Sequence, residues 1–243
     1  MGDKKLTIRL LGAIEIELDG KPLTGLGTRK AEALLAYLVS HKRPFSREQL
    51  ADILWDDRSQ TQALANLRSL LSGMRRKIKP WLLVTRHTVA FNHESDYWLD
   101  TAAFSQALSA KAEAVATATD VDRTQAIALY RGDFLEGFYL RDCRGFEEWA
   151  TLERERWRRL AINTLQQLAH DCLRNGRYPQ GIHYTDQLLR LDNLSEQAHR
   201  LQMELLARNG RRHAALQQYT DCCHVLAKEL DVEPAPATQA LYH

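Results

Sequence analysis

The chain has 243 residues, 44% of them apolar and 26% charged, which is the composition of a folded globular protein with room for two ordinary domains. No window approaches the run of about 18 apolar residues that a membrane span needs, so disordered, collagen-like and membrane-spanning classes are excluded. Met1 to Lys5 leads directly into the strand-like Leu6-Thr-Ile-Arg-Leu rather than an apolar signal core, so nothing marks the chain for export and the expected compartment is the cytoplasm.

The net charge of +2 hides an asymmetry: residues 1–99 carry 16 Lys and Arg against 11 Asp and Glu, whereas residues 100–243 carry 17 against 20. Within residues 63–79 stand Arg68, Arg75, Arg76, Lys77 and Lys79 with no acid, which is where a nucleic-acid footprint would lie. The cysteines at 143, 172, 222 and 223 form no C-x-x-C pair and read as small buried apolar residues. The nine histidines show no H-E-x-x-H and no ligand spacing, so neither a metal nor a cofactor is expected.

In chain order, Leu6 to Leu11 and the alternating Ile14/Ile16/Leu18 predict short strands, joined to Lys21–Leu23 by an Asp19-Gly20 hairpin turn. After Gly25 and Gly27, Thr28 is a plausible N-cap for a helix whose Ala31, Leu34, Leu35, Leu38 and Val39 recur at helical spacing and which ends before Pro44. Ser46 with Gln49, and Ser59 with Gln62, are capping-box pairs that open two further helices. The third of these helices runs to about Lys79 and stops at Pro80, with Leu67, Leu71, Met74 and Ile78 on one face. Asn66, Ser69, Gly73 and Arg76 are expected opposite that face, with Arg68, Ser72 and Arg75 on the flanks. Leu82–Thr85 and Thr88–Phe91 then predict a hairpin whose tip is Arg86-His87.

Sheet, three helices and hairpin is the order of a winged helix: the second helix of the helix-turn-helix can enter a major groove and the hairpin can reach along the backbone or minor groove. Arginine pairs two-fold with guanine, asparagine with adenine, and both hold phosphate. The bland reading, that Arg75, Arg76 and Lys77 merely solvate a helix end and favour its dipole, loses ground once the whole series is read together. Leu10-Leu-Gly-Ala-Ile-Glu-Ile, Thr28-Arg-Lys, Ala33-Leu-Leu-Ala-Tyr-Leu, Phe45-Ser-Arg-Glu-Gln-Leu, Leu54-Trp-Asp and Ala63 to Ile78 resemble the DNA-binding domain of the bacterial antibiotic-regulatory (SARP-type) transcriptional activators. That resemblance implies a response-regulator type winged helix with an N-terminal antiparallel sheet over residues 1–96. It implies base or backbone contact at Asn66, Ser69 and Arg76 on the recognition helix, Arg86 on the wing, and phosphate contact at Arg29 and Arg47. Gly73 departs from the bulkier residue expected mid-helix and puts the base-contacting register in question.

From Asp100 onward the pattern is helical: Phe104/Ala107/Leu108, then Ala126/Leu129/Tyr130, then Phe146 through Trp149, Leu152, Trp157, Leu160, Leu165, Leu168 and Cys172. Arg174-Asn-Gly-Arg177 recurs as Arg208-Asn-Gly-Arg211 at an offset of 34 residues, the tetratricopeptide period. Each repeat would be a helix pair with a left-handed glycine between, and Gly181 and Ala215 suit close helix approach. Arg131-Gly-Asp-Phe-Leu-Glu-Gly-Phe138, Glu148-Trp149 and Glu229 to Pro236 resemble the bacterial transcriptional activation domain that follows the winged helix in the same family, expected here over residues 97–243. Arg131-Gly-Asp as an adhesion motif and Asn193-Leu-Ser195 as a glycosylation site both yield to turn readings.

The fold expected is mostly α with a small β component. The function expected is sequence-specific activation of transcription: duplex DNA held by the winged helix at promoter direct repeats, a homodimer on DNA, and contact of the helical domain with RNA polymerase or an appended sensor. A second reading stays open, in which the repeats are a peptide-binding scaffold and the winged helix docks a protein partner. An enzyme is the third and weakest reading, since Gly25-Leu-Gly-Thr28 lacks the P-loop spacing and no G-x-S-x-G occurs. Family members often carry an ATPase domain further along, and Tyr242-His243 reads as a helix cut short, as in a fragment.

Overall fold

The computed structural model describes residues 5–23, 26, 28–109 and 120–242. The chain forms two compact units, one of Met1–Ser105 with Leu129–Trp157 and one of Gln106–Ala128 with Arg158–His243.

The first unit opens on a four-stranded sheet in the order β3 (Lys21–Pro22), β2 (Glu15–Leu18), β1 (Leu6–Arg9) and β7 (Tyr97–Leu99). Leu6 faces Leu18 and Ile8 faces Ile16 across the antiparallel pair, and Leu6 and Ile8 are fully buried, as their alternation with polar residues requires. Asp19 and Gly20 both take the left-handed conformation of a two-residue hairpin turn, at φ 53 and 74. β7 had no clear signal in the sequence; it joins β1 in parallel, with Leu6 opposite Tyr97 and Ile8 opposite Leu99.

Three helices follow the first hairpin. Thr28 caps α1 (Arg29–Val39) by accepting from Ala31 N, and the helix ends at Ser40, ahead of Pro44. Gly25 and Gly27, which precede this cap in the sequence, lie outside the described residues. Ser46 and Gln49 form the complete capping box of α2 (Arg47–Leu54), while at α3 (Gln60–Ile78) the Ser59 hydroxyl accepts from Gln62 N. A 3-10 turn at Lys79–Trp81 carries Pro80 and feeds β5 (Leu82–Val84) and β6 (Thr88–Phe91), which pair with β4 (Phe45–Ser46) in a three-stranded sheet. Ala33, Leu34, Leu35, Leu38, Leu50, Leu67, Met74, Ile78, Phe45 and Val89 make a core with 1% or less of their surface exposed. This is a winged helix behind an N-terminal sheet.

The winged helix is completed by chain from beyond residue 96. Asp100, at the start of α4 (Asp100–Ser109), is buried and accepts from the backbone N–H groups of Leu10 and Leu11 through Oδ2, and of Thr101 through Oδ1, all at 2.8 Å. Arg131-Gly-Asp-Phe-Leu-Glu then runs along the end of β1: Gly12 N donates to Asp133 O, Leu135 N to Leu10 O and Glu136 N to Gly12 O. Arg131 also pairs with Glu15 at 2.7 Å, so this tripeptide is a structural turn. The packing units therefore do not divide at 96/97, because the strand end at Leu10–Gly12 takes its partners from residues 100 and 133–136.

The second unit holds α5 (Asp120–Leu129) up to Ala128, α6 (Arg144–Arg174) from Arg158, α7 (Tyr178–Leu191), α8 (Glu196–Arg208), α9 (Arg212–Leu230) and α10 (Pro236–Tyr242). The repeat is real in its geometry. Gly176 and Gly210 stand at φ 69 and 74, and each turn makes the same two bonds, Gly176 N to Leu173 O with Arg177 N to Cys172 O, and Gly210 N to Ala207 O with Arg211 N to Leu206 O. Those are the paired bonds of a Schellman cap, which needs the left-handed residue. A Cβ on Gly181 would stand 2.6 Å from Leu205 Cδ2 and 3.1 Å from Cys172 Cβ, so glycine is what allows α7 to pack there. Ser195 caps α8, which gives Asn193-Leu-Ser195 its structural role. One expected apolar position departs: Leu152 lies on the outer side of α6, 71% exposed. Cys143, Cys172 and Cys222 are buried as expected, but Cys223 is only half-buried.

Candidate nucleic-acid interface

α3 carries no acidic residue and buries Ala63, Leu67, Leu71, Met74 and Ile78. The remaining circumference of the helix divides in two. Arg68, Ser72 and Arg75 are exposed on one flank, and Ser69 and Arg76 are exposed opposite the core; Lys79 follows, exposed, in the 3-10 turn. Asn66, Leu70 and Gly73 fall on the other flank and are half-buried. The structure thus departs from the expected outward placement of Asn66 and Gly73, because a second segment of the same unit covers that side.

That segment is Tyr139-Leu-Arg141. With Leu26, Thr28, Arg29, Lys30 and Trp55 it closes a cleft of about 770 Å³ whose other wall is Asn66, Ser69, Leu70 and Gly73. Arg29 lies in this wall with its guanidinium 4.7 Å from the centre of the Phe138 ring and one nitrogen 3.4 Å from Gly137 O. The turn between α2 and α3 is held from the same direction. Leu54 O accepts from Lys30 Nζ at 2.6 Å and from Cys143 Sγ at 3.1 Å, and Asp56 accepts from Arg144 N at 2.9 Å. Burial pushes the Cys143 thiol pKa up, against the pull of the Lys30 charge, so this sulfur stays a protonated donor at neutral pH.

The wing tip is built by Thr85, whose Oγ1 accepts from His87 N at 3.2 Å and Thr88 N at 2.9 Å, leaving Arg86 and His87 exposed. Arg47, expected at phosphate, is instead half-buried: its backbone N–H donates to His87 O and its guanidinium to Thr85 O at 2.8 Å, while Nε is buried without a partner. Arg47 therefore positions the wing against the start of α2. Sequence reading missed this anchor and the Leu54–Cys143 and Asp56–Arg144 ties, since all of them link residues far apart in the chain.

Among the described residues no group of three or more His, Cys, Asp and Glu is placed to hold a metal ion, and no helix is long and apolar enough to cross a membrane. Residues 99–243, more than half the chain, match the family described as bacterial transcriptional activator domain. The chain belongs to this family. It is similar to the regulatory protein AfsR of Streptomyces coelicolor, with 28% identity over 237 residues that cover 97% of this chain and 24% of that protein. AfsR of Streptomyces griseus is 29% identical over 221 residues, 89% of this chain and 22% of its own length. The transcriptional regulatory protein EmbR of Mycobacterium tuberculosis is 35% identical over 75 residues, 30% of this chain and 19% of that protein. The chain spans about a quarter or less of the length of these relatives. Among solved structures, Mycobacterium tuberculosis EmbR in complex with a low-affinity phosphopeptide shares the fold at a TM-score of 0.69 and 23% identity, over 99% of this chain and 64% of that one. Together these relatives make the chain a SARP-type member of the bacterial transcriptional activator family: a winged helix followed by tetratricopeptide-like helices, related to transcriptional regulators.

Proposed function

We propose that the chain is a sequence-specific transcription activator that reads promoter DNA with α3. The observation that carries this reading is the acid-free, exposed side of α3, where Arg68, Ser72, Arg75 and Arg76 stand clear of both core and cleft and exposed Ser69 borders the cleft. A helix of that width fits a major groove about 12 Å across, where arginine and serine meet base edges and phosphate. Lys79 and the wing residue Arg86 serve the phosphate backbone or minor groove, and Arg47 sets the wing's position rather than meeting phosphate itself. Arg29 and Asn66 contribute mainly to the cleft.

One winged helix covers too little duplex for genomic specificity, so two protomers cooperate on DNA. Head-to-tail docking of winged helices is a heterologous contact and generates direct repeats, spaced about 10 to 10.5 base pairs centre to centre so that both recognition helices meet one face. The helical-repeat unit contacts RNA polymerase or a sensor module. Fluorescence anisotropy and footprinting on synthetic duplexes with half-sites in direct or inverted order test this reading. Salt-sensitive binding that prefers the direct order and weakens when about five base pairs are inserted is the expected result. Preference for the inverted order would refute the head-to-tail arrangement, and absence of duplex binding at low salt would leave the protein-scaffold reading in its place.

A further inference from the structure

The cleft beside α3 has the size and lining of a ligand site. Its volume of about 770 Å³ lies within the range that holds small organic ligands, about 300 to 1,000 Å³. Leu26, Trp55, Leu70, Tyr139 and Leu140 give it apolar walls, and Arg29, Lys30 and Arg141 bring three positive charges with no acid among its lining residues. Two of these cations are partly engaged, Lys30 with Leu54 O and the Trp55 ring and Arg29 with Gly137 O and the Phe138 ring. Arg141 is exposed at the mouth. Thr28, Asn66 and Ser69 add hydroxyl and amide groups, and the first turn of α1 opens onto the same space, so its dipole favours a negative charge there. A smaller lobe of about 340 Å³ shares Lys30, Trp55, Asn66 and Arg141 and brings in Asp57 and Asp142, which disfavour an anion in the lobe itself.

We propose that this cleft binds a small organic anion with a planar apolar body, of the aromatic carboxylate or sulfonate class, between Arg29 and Arg141. Apolar walls exclude a bare phosphate or a strand of DNA backbone as the better occupant, because both are hydrated and present no apolar surface to bury. The cations and the helix start exclude a neutral hydrocarbon. Gly73 is the structural signature: an added Cβ there meets no heavy atom within 4 Å, so the glycine leaves room on the cleft side of a helix where alanine would be more stable by about 1 kcal/mol. A ligand in the cleft touches α3 directly through Asn66 and Ser69. The assignment stands on the cleft alone and does not depend on how α3 meets DNA.

The test uses the full chain and the fluorescent anion 1-anilinonaphthalene-8-sulfonate. One probe per chain is expected, displaced by naphthalene-1-carboxylate and not by equal concentrations of 1-naphthalenemethanol or inorganic phosphate. Gly73→Phe fills the cleft and should abolish the fluorescence gain, Gly73→Ala should retain it, and Arg141→Ala should weaken binding about tenfold, the loss of one charge-assisted contact. Circular dichroism melts report whether each variant folds; if Gly73→Phe does not, the Arg141→Ala and competition arms decide. Unchanged probe binding in a folded Gly73→Phe or in Arg141→Ala would overturn the proposal. Equal displacement by the neutral alcohol or by phosphate would overturn its chemical class.

Discussion

Asp100 is the residue on which the join between the first strand and the following helix depends, and its replacement should be costly. Its side chain is 1% exposed in residue terms and accepts three backbone N–H groups at 2.8 Å, two of them on the fully buried Leu10 and Leu11. Asp100→Ala leaves those two N–H groups without an acceptor, at about 1 to 3 kcal/mol each, so about 4 kcal/mol in all. At ~2 to 4 °C per kcal/mol for a chain of this size, the melting temperature should fall by about 8 to 16 °C. Asp100→Asn keeps one carbonyl oxygen for Leu10 and Leu11 but turns its NH2 toward Thr101 N–H, so roughly half the loss is expected. Burial raises the Asp100 pKa, with the three N–H donors and Arg131 pulling the other way. A folded-state pKa above the unfolded one means that the stability this carboxyl contributes is full in acid, below the unfolded value, and is lost as pH rises through the folded value. The deficit of Asp100→Asn should accordingly be largest in acid and shrink towards neutral pH. Thermal melts followed by circular dichroism across that range decide the matter. An Asp100→Ala protein melting within about 2 °C of the parent would refute the argument from unsatisfied donors.

Arg76→Ala should cost about 1 to 3 kcal/mol on a cognate duplex and less on random DNA, whereas Arg86→Ala should weaken both and lower the salt slope by about one; anisotropy titrations at several salt concentrations separate them. Gly181→Ala places a Cβ 2.6 Å from Leu205 Cδ2 and should destabilise by about 1 to 3 kcal/mol despite the better helix former, and Gly176→Ala, at φ 69, by about 1 kcal/mol, as read by urea unfolding. Burial pushes the Cys222 pKa up to about 11, so in native protein at pH 8 iodoacetamide should label Cys223 and spare Cys222, as mass spectrometry of the digested protein would show. A fragment of residues 1–96 should lack a cooperative melt and a fragment of residues 1–157 should show one, since Asp100, Phe134, Cys143 and Trp149 all pack into the winged-helix unit.

What the sequence shows plainly is whatever is set by neighbours in the chain. Capping residues at 28, 46 and 59, the Asp19-Gly20 turn, the core stripe of α3 and the duplicated Asn-Gly turns each rest on interactions within a few residues, and each is found where local chemistry places it. β7 escaped because a three-residue strand with half-buried Tyr97 and Trp98 has almost no periodicity; its existence is decided by the free edge of β1. The docking of residues 131–138 escaped for the same reason. Gly132 lies close against Gly12 and Glu136, where an added Cβ would stand 3.3 Å from Gly12 Cα, but no pattern in the sequence names those partners.

The candidate interface repeats this division at the scale of one helix. Periodicity identifies the core side of α3, yet it treats the two remaining flanks as equivalent, and they are not. The Arg68, Ser72 and Arg75 flank is open, while the Asn66, Leu70 and Gly73 flank is roofed by residues 139–141. Two signals in the sequence bear on that outcome. Leu70 is an apolar residue off the core stripe, and Gly73 is a glycine in a helix interior where no turn requires one. An apolar side chain and a missing side chain on one flank are what a concave, partly apolar contact needs, and a DNA-facing flank would have carried polar or basic residues at both positions. The same logic separates Arg47 from Arg76. Both are arginines at helix positions within the winged helix, but Arg47 has the carbonyl of Thr85 within 2.8 Å and a buried Nε, so its charge is committed to holding the wing, whereas Arg76 is exposed for an outside partner.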